Sequence, residues 1–120
     1  MKRILLVDDE RDLVESMAAA LEGFCHVHTA HNGKEALEVL EREPIDAIIL
    51  DLMMPVMSGE ELIAELKTRD IRVPVIVASA SRNVEARCKE LGVEHCLQKP
   101  YRLSKLLERL AALPVSSSKS

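Results

Sequence analysis

Ile45–Gly59 reads IDAIILDLMMPVMSG. From Ile45 to Leu50 the run is apolar except for Asp46, and it stops at an acid, Asp51. It then passes through Leu52, Met53 and Met54 to Pro55 and Gly59. A short, isoleucine-rich run of this kind predicts a strand buried on both faces, as in a parallel sheet. Such a strand delivers its last residue to the carboxyl edge of the sheet, where open α/β sheets bind ligands. Asp51 is that residue. A carboxylate so placed is a nucleophile, a metal ligand, a helix cap or an accident, and the flanking sequence must choose among these.

Upstream, Ile4–Val7 is a short aliphatic run that ends in Asp8, Asp9 and Glu10. Arg11–Glu22 sets Leu13, Met17, Ala20 and Leu21 at helical spacing and is closed by Gly23. Cys25–Ala30 alternates weakly between Gly23 and the turn pair Asn32–Gly33, which predicts a strand near a sheet edge. Lys34–Arg42 carries Ala36, Leu37 and Leu40 on one face, a second helix stopped by Pro44.

Downstream, Leu62, Ile63 and Leu66 mark a third helix after Gly59. Val75–Ala78 is a fourth strand ending at Ser79, and Val84, Cys88 and Leu91 share one face of a fourth helix stopped by Gly92. Glu94–Gln98 is a brief strand leading into Lys99–Pro100. Arg102–Leu113 then repeats Leu at 103, 106, 107, 110 and 113, an amphipathic stripe. Pro114 and the VSSSKS that follows read as a loose tail. The expected organisation is one domain over residues 1–113, with a flexible serine-rich tail at 114–120.

Strands alternating with helices imply a (βα)₅ fold, a parallel sheet covered on both faces. Right-handed crossovers leave few topologies. In the doubly wound, flavodoxin-like order 2-1-3-4-5 the switch point lies between the first and third strands. One cleft then receives Asp8 and Asp9 from the first strand, Asp51 from the third, Ser79 from the fourth and Lys99 from the fifth.

Bulk composition narrows the function classes. The 120 residues fit one domain, and 48% hydrophobic with 30% charged is ordinary for a soluble protein with a real core. Aromatics are 2%, Phe24 and Tyr101, so the core is aliphatic. The net charge of −4 and the lack of a basic stripe argue against direct nucleic-acid binding. No apolar run approaches a membrane span, and the basic start turns acidic after four apolar residues, unlike a signal peptide. The three cysteines, Cys25, Cys88 and Cys96, lack metal-type spacing and read as reduced thiols of a cytoplasmic protein.

Three carboxylates in one cleft repel one another, by about 4 kcal/mol per pair at 4 Å and an effective dielectric near 20. Lys99 offsets part of that, and a divalent cation would offset more. Oxygen-only ligands with room for waters and a phosphate suit Mg²⁺ better than zinc. With Mg²⁺ present, a carboxylate can attack a phosphoryl group and form an acyl phosphate. The metal and Lys99 would hold the equatorial oxygens, and Ser79 could donate a hydrogen bond.

The sequence here resembles the receiver domain of bacterial two-component response regulators, from Met1 to about Leu113. The motifs are Asp8–Asp9, Asp51 followed by Met-Met-Pro and Gly59, Ser79–Ala80, and Lys99–Pro100–Tyr101. Each is weak alone; together, in this order and at these strand ends, they are specific. The resemblance implies that Asp51 accepts phosphate from a phosphohistidine of a histidine kinase or phosphotransfer protein. It implies that Asp9 ligates Mg²⁺ directly, Asp8 mainly through water, and the Met53 backbone carbonyl as a further ligand. It also implies Lys99 contact with the phosphoryl group, Ser79 as a switch residue, and a cis Lys99–Pro100 bond.

The residues also have blander readings. Asp8 or Asp9 alone is more often a helix N-cap, and DDERDL would serve as one. Lys99 alone is most often solvated, and Ser79 a loop hydroxyl. Convergence at one sheet edge outweighs these readings. His26, His28 and His31 fall in one small region and read as polar surface before metal ligands. The five methionines read as core filling, and Arg82, Arg87, Lys89, Lys105 and Arg109 as solvated helix faces.

Two departures from the family pattern concern the output face. Cys96 stands where the family carries a mobile switch aromatic, and the Ser79–Lys99 segment is slightly short, which predicts a short or displaced fourth helix. The expected function is a phosphoryl-accepting switch whose output is binding to a protein target. The competing class is a small Mg²⁺-dependent phosphohydrolase with Asp51 as nucleophile. Against it stands the lack of a dedicated general acid near Asp51. A third, an adaptor that is never phosphorylated, would normally lack one of the acids.

Overall fold

The architecture comes from a computed structural model that describes residues 2–113. The predicted tail at 114–120 lies outside the described residues. Five strands and five helices alternate: β1 (Lys2–Val7), α1 (Arg11–Leu21), β2 (Cys25–Ala30), α2 (Gly33–Arg42), β3 (Ala47–Leu50), α3 (Gly59–Thr68), β4 (Val75–Ser79), α4 (Val84–Leu91), β5 (His95–Gln98) and α5 (Leu103–Ala112). The strands form one parallel sheet in the expected order, β2-β1-β3-β4-β5. β2 is an edge strand, as its weak alternation predicts.

Strand side chains point alternately to the two faces, so each strand feeds two cores. Leu5, Val7, Ile48, Leu50 and Val77 meet Leu37, Leu62, Leu66, Val84 and Cys88 from α2, α3 and α4. Ile4, Leu6, Ile49, Ile76 and Leu97 meet Val14 and Leu21 of α1 and Leu106 and Leu110 of α5. This explains why the central strands read as continuous apolar runs: neither face sees water.

Local signals set most boundaries. Asn32 caps α2 by accepting from the Glu35 N–H at 2.9 Å. Ser58 and Glu61 form a reciprocal capping box at the start of α3. Gly92 ends α4 in the left-handed region at φ 74°, and the Val93 N–H closes the turn onto the Cys88 carbonyl at 2.9 Å. At eight residues α4 is the shortest helix among the described residues, in line with the expected short segment.

Four expectations need correction. β3 runs only from Ala47: the Asp46 N–H still donates to the Arg3 carbonyl at 2.7 Å, but the Asp46 side chain, in place of a backbone carbonyl, accepts from the Arg3 N–H at 2.8 Å. In α1 the buried residues are Val14 and Leu21, while Ala20 is exposed. The segment is apolar around much of its circumference, so spacing alone does not set its phase. Met17, Met54 and Met57 pack against the cores, but Met53 is 74% exposed and fills nothing. Arg87 is half-buried, ion-paired to Glu60 of α3 and to Glu90 at 2.9 Å, and so ties α4 to α3. Arg82, Lys89 and Lys105 are exposed as expected, and Arg109 is half-buried.

The loop after β3 holds one strained residue. Val56 has φ 69°, and the Met57 N–H bonds back to the Pro55 carbonyl at 2.7 Å in a tight three-residue turn. A β-branched residue in the left-handed region costs about 1–3 kcal/mol, and at 77% exposure its side chain returns little by burial. Val56→Gly is expected to stabilise the protein by about 1 kcal/mol after the entropy of a free glycine is subtracted. A chemical denaturation midpoint checks this; a loss of stability would show that the Val56 side chain is needed where it stands.

Candidate functional site

The site is built at the carboxyl edge of the sheet, where β1 and β3 are neighbours and their loops diverge. Asp8 follows directly on β1 and is 5% exposed. Its N–H donates to the Ala30 carbonyl at 3.1 Å, so the end of β2 fixes its backbone. One carboxylate oxygen, Oδ1, accepts from the Glu10 N–H at 3.0 Å, and the other, Oδ2, accepts from Lys99 Nζ at 2.6 Å. Neither Asp8 nor Asp9 caps α1: the residue before the helix is Glu10, with no side-chain capping bond. Asp8 instead closes a local turn. Asp9, exposed, faces solvent beside it.

Asp51 follows on β3, and its N–H donates to the Val7 carbonyl at 3.0 Å. The residue is 9% exposed, and Oδ1 accepts a long bond from the Met53 N–H at 3.4 Å. Lys99 Nζ lies 4.0 Å from Asp51 Oδ2 and favours Asp8. Burial lifts the Asp51 carboxyl from its ordinary value to about 6, with the charges of Asp8 and Asp9 pushing the same way. The Lys99 ammonium and the Met53 N–H pull it down. Desolvation dominates because a carboxylate at the end of a buried strand loses its water before it gains a partner.

Asp8, Asp9 and Asp51 each offer an oxygen within 4.8 Å of the other two. Among the described residues they are the one such cluster of metal-ligating side chains. The clustered oxygens mark concentrated negative charge, and an oxygen-only donor set of that charge fits Mg²⁺. The histidines form no such group. His28 Nε2 lies 4.0 Å from Glu43 Oε1, and His31 Nδ1 lies 3.3 Å from the Asp8 carbonyl oxygen.

Ser79 ends β4 and is 1% exposed. Its Oγ accepts from the Ser81 N–H at 3.1 Å, which leaves its own proton free to donate. Ser81 repeats the pattern by accepting from the Asn83 N–H at 3.1 Å. This short relay of hydroxyl turns leads from the site to the start of α4. The sequence reading missed it, although the alternating serines of Ser79-Ala80-Ser81 carried the signal. Lys99 follows β5, where its N–H donates to the Ser79 carbonyl at 2.8 Å, and the Lys99–Pro100 bond is cis as expected. Tyr101 packs beneath, its hydroxyl pushed up to about 12 by burial and by the charge of Asp8. Cys96, in β5, is half-buried and packs against the core that includes Cys88 of α4.

The structure therefore brings Asp8, Asp9, Asp51 and Lys99 together, with Ser79 at the neighbouring strand end. Met53 contributes a backbone N–H to Asp51 while its side chain stands in solvent. No helix of the described residues is long and apolar enough to cross a membrane.

Comparison with known proteins gives the arrangement a family. The profile described as "response regulator receiver domain" matches residues 4–111. The response regulator MprA of Mycobacterium ulcerans is 39% identical over 115 residues, covering 92% of this chain and 49% of its own length. MprA of Mycobacterium leprae is likewise 39% identical over 115 residues, covering 92% of this chain and 50% of its own. The chain thus spans about half the length of these curated relatives. Among solved structures, the Francisella response regulator 1452 receiver domain superposes with a TM-score of 0.84 at 28% identity, covering 92% of this chain and 94% of that one. Thermotoga maritima response regulator TrrA, solved with Mg²⁺ and BeF, gives 0.82 at 30% identity, covering 92% and 97%. Receiver domains are regulatory domains of two-component systems and bind Mg²⁺ at an acidic pocket. With the strand order, the acids at the strand ends and a profile match over nearly its whole length, this chain belongs to the response regulator receiver domain family.

Proposed function

We propose that Asp51 is the single phosphoacceptor of a signalling switch. In this reading it takes a phosphoryl group from a phosphohistidine of a histidine kinase or phosphotransfer protein, and the change alters binding to a protein target. The observation that carries this reading is the buried Asp51 carboxylate, with oxygens of Asp8 and Asp9 within 4.8 Å and the Lys99 ammonium at 4.0 Å. The receiver unit proposed runs over residues 1–113.

Asp9 and Asp51 would hold Mg²⁺ directly, with Asp8 acting through water and the Met53 carbonyl completing the protein's share. When bound, the ion supplies positive charge that screens the three acids and withdraws electron density from the phosphoryl oxygens. The chain's own residues do the rest. An ionised Asp51 oxygen attacks phosphorus as the bond from phosphorus to the donor's imidazole nitrogen breaks. Lys99 has two ammonium protons left after its bond to Asp8, and they can follow the charge that builds on the phosphoryl oxygens. Ser79 can donate its free hydroxyl proton to one of those oxygens. Its backbone and the Ser81–Asn83 relay give that movement a path to the start of α4.

A small acyl phosphate donor with Mg²⁺ is expected to add one phosphoryl group by intact mass, and Asp51→Asn to abolish it. Labelling that persists in the variant would sink the assignment. Release of many equivalents of inorganic phosphate per chain would favour the phosphohydrolase reading.

Asp9→Ala tests the metal arrangement. It is expected to weaken Mg²⁺ binding by at least about tenfold, about 1.4 kcal/mol, and to slow labelling in step. Because it also removes a repelling charge from an exposed position, metal-free stability should stay level or rise, within about 1 kcal/mol. Calorimetric titration with Mg²⁺ and denaturation in chelator measure the two; unchanged metal affinity would remove Asp9 from the ligand set.

A further inference from the structure

The turn between β2 and α2, His31–Gly33, is bonded to both of the loops that carry the acids. Its own backbone is fixed first. The His31 N–H donates to Glu35 Oε1 at 2.9 Å, and the Asn32 side chain accepts from the Glu35 N–H at 2.9 Å. The Gly33 N–H donates to the carbonyl of Met57, in the loop after Asp51, at 3.0 Å. On the other side, the end of β2 and the turn together grip the Asp8 backbone. The Ala30 carbonyl accepts from the Asp8 N–H at 3.1 Å, and His31 Nδ1 lies 3.3 Å from the Asp8 carbonyl oxygen. A carbonyl oxygen can only accept, so this contact is a hydrogen bond when the imidazole carries its proton on Nδ1.

We infer that His31 is a positioning residue for the metal site: its Nδ1–H, bonded to the Asp8 carbonyl, orients the peptide that joins Asp8 to Asp9 and so presents Asp9 to Mg²⁺. The Asp8 carbonyl belongs to that planar peptide, and turning it turns the Asp9 N–H and Cα with it. The rest of Asp8 is already held. Its N–H is bonded to Ala30, and its two carboxylate oxygens to the Glu10 N–H and to Lys99. The carbonyl is the one polar group of Asp8 left, and it is the group that His31 takes. Asp9 is exposed, so packing does little to fix it, and the reach of its carboxylate follows from where the backbone sends it.

His31 touches no part of the ion in this arrangement. It acts through Asp9, and the inference therefore rests on the proposal that Asp9 holds Mg²⁺. Contacts behind a ligand tune metal affinity because a donor already in place needs less ordering when the ion arrives. The bond and the bulk of the ring can be separated by substitution. Leucine at this position keeps an apolar side chain of similar reach and loses the donor. Asparagine keeps a donor, since its Nδ2 stands as many bonds from the backbone as Nδ1 does.

The imidazole nitrogens of the metal-free 120-residue chain, observed by long-range proton–nitrogen correlation at alkaline pH, report the proton directly. The His31 signals are those that disappear in His31→Asn. Nδ1–H is expected as the main neutral tautomer, and Nε2–H would overturn the inference. Calorimetric titration with Mg²⁺ reads the consequence. His31→Leu is expected to weaken binding by about fivefold, the scale of one neutral hydrogen bond, and His31→Asn to stay within about twofold of the wild type. If His31→Leu does not fold in chelator, His31→Ala takes its place, and the tautomer is read on the wild type in either case. Equal losses in the leucine and asparagine variants would mean that the shape of the ring matters and its proton does not, which overturns the inference. Full affinity in His31→Leu where Asp9→Ala loses it would overturn the inference and leave the metal reading standing. Full affinity in both would remove Asp9 from the ligand set, and the inference would fall with it.

Discussion

Asp51→Asn is expected to raise the metal-free stability of the protein by about 2 kcal/mol at pH 8 and to change it little at pH 4. The reason is the Asp51 carboxyl, lifted by burial from 3.8 to about 6 in the folded state. A folded-state value above the unfolded one means that the native protein binds this proton more tightly than the unfolded chain does. Its contribution to stability is therefore fully present below the unfolded value of 3.8 and is lost as pH rises through about 6. A rise of that size corresponds to about 3 kcal/mol, and the asparagine amide, with its own hydrogen-bonding needs, recovers only part of it. Denaturant titrations at the two pH values in chelator measure the difference. Equal effects at both would mean that the cleft does not disfavour the Asp51 charge. Adding Mg²⁺ at about ten times its dissociation constant should stabilise the wild type by about 1.4 kcal/mol and the variant by less, since one ligand charge is gone.

The second large effect falls on Gly59, the first residue of α3. A Cβ at this position would press on the Asp51 carbonyl oxygen and stand 2.8 Å from the Leu52 Cα. Both neighbours are backbone, and the Gly59 N–H is already bonded to the Leu52 carbonyl at 3.0 Å, so neither side can step back. Gly59→Ala is expected to cost about 2–4 kcal/mol and to slow phosphoryl labelling, because relief requires the Asp51 peptide to move. The sign is diagnostic: in a helix free of this contact the same exchange would gain about 1 kcal/mol. Gly23→Ala is the control, since nothing lies within 4 Å of the added carbon there, and its effect should stay within about 0.5 kcal/mol. A neutral or stabilising Gly59→Ala would show that the β3–α3 turn yields more readily than its packing suggests.

Much of this molecule is legible from its residues alone, and for one physical reason. Strands buried on both faces leave apolar runs such as Ile4–Val7, Ile45–Leu50 and Val75–Ala78, and each run here ends on a polar residue. In a parallel sheet all strand ends that matter lie along one edge, so Asp8, Asp51, Ser79 and Lys99 converge before any coordinate is known. Punctuation by Gly23, Pro44, Gly59 and Gly92 is equally local, which is why most helix limits fall within a residue or two of expectation.

Tertiary structure decided what depends on distance between elements. The phase of α1 was set by which of its many apolar residues the sheet would accept, and it took Val14 and Leu21 over Ala20. Met53 resembled its neighbours in composition, but the turn after Asp51 sends its side chain outward while Met54 and Met57 return to the core. Lys99 could have chosen either acid, and it pairs with Asp8 at 2.6 Å because β5 delivers it there. Arg87 and Glu60 are partners only because α4 packs beside α3. Sequence periodicity encodes how much of a segment faces inward. It carries no record of which charge meets which, since those energies arise only over the few ångströms that the completed fold sets.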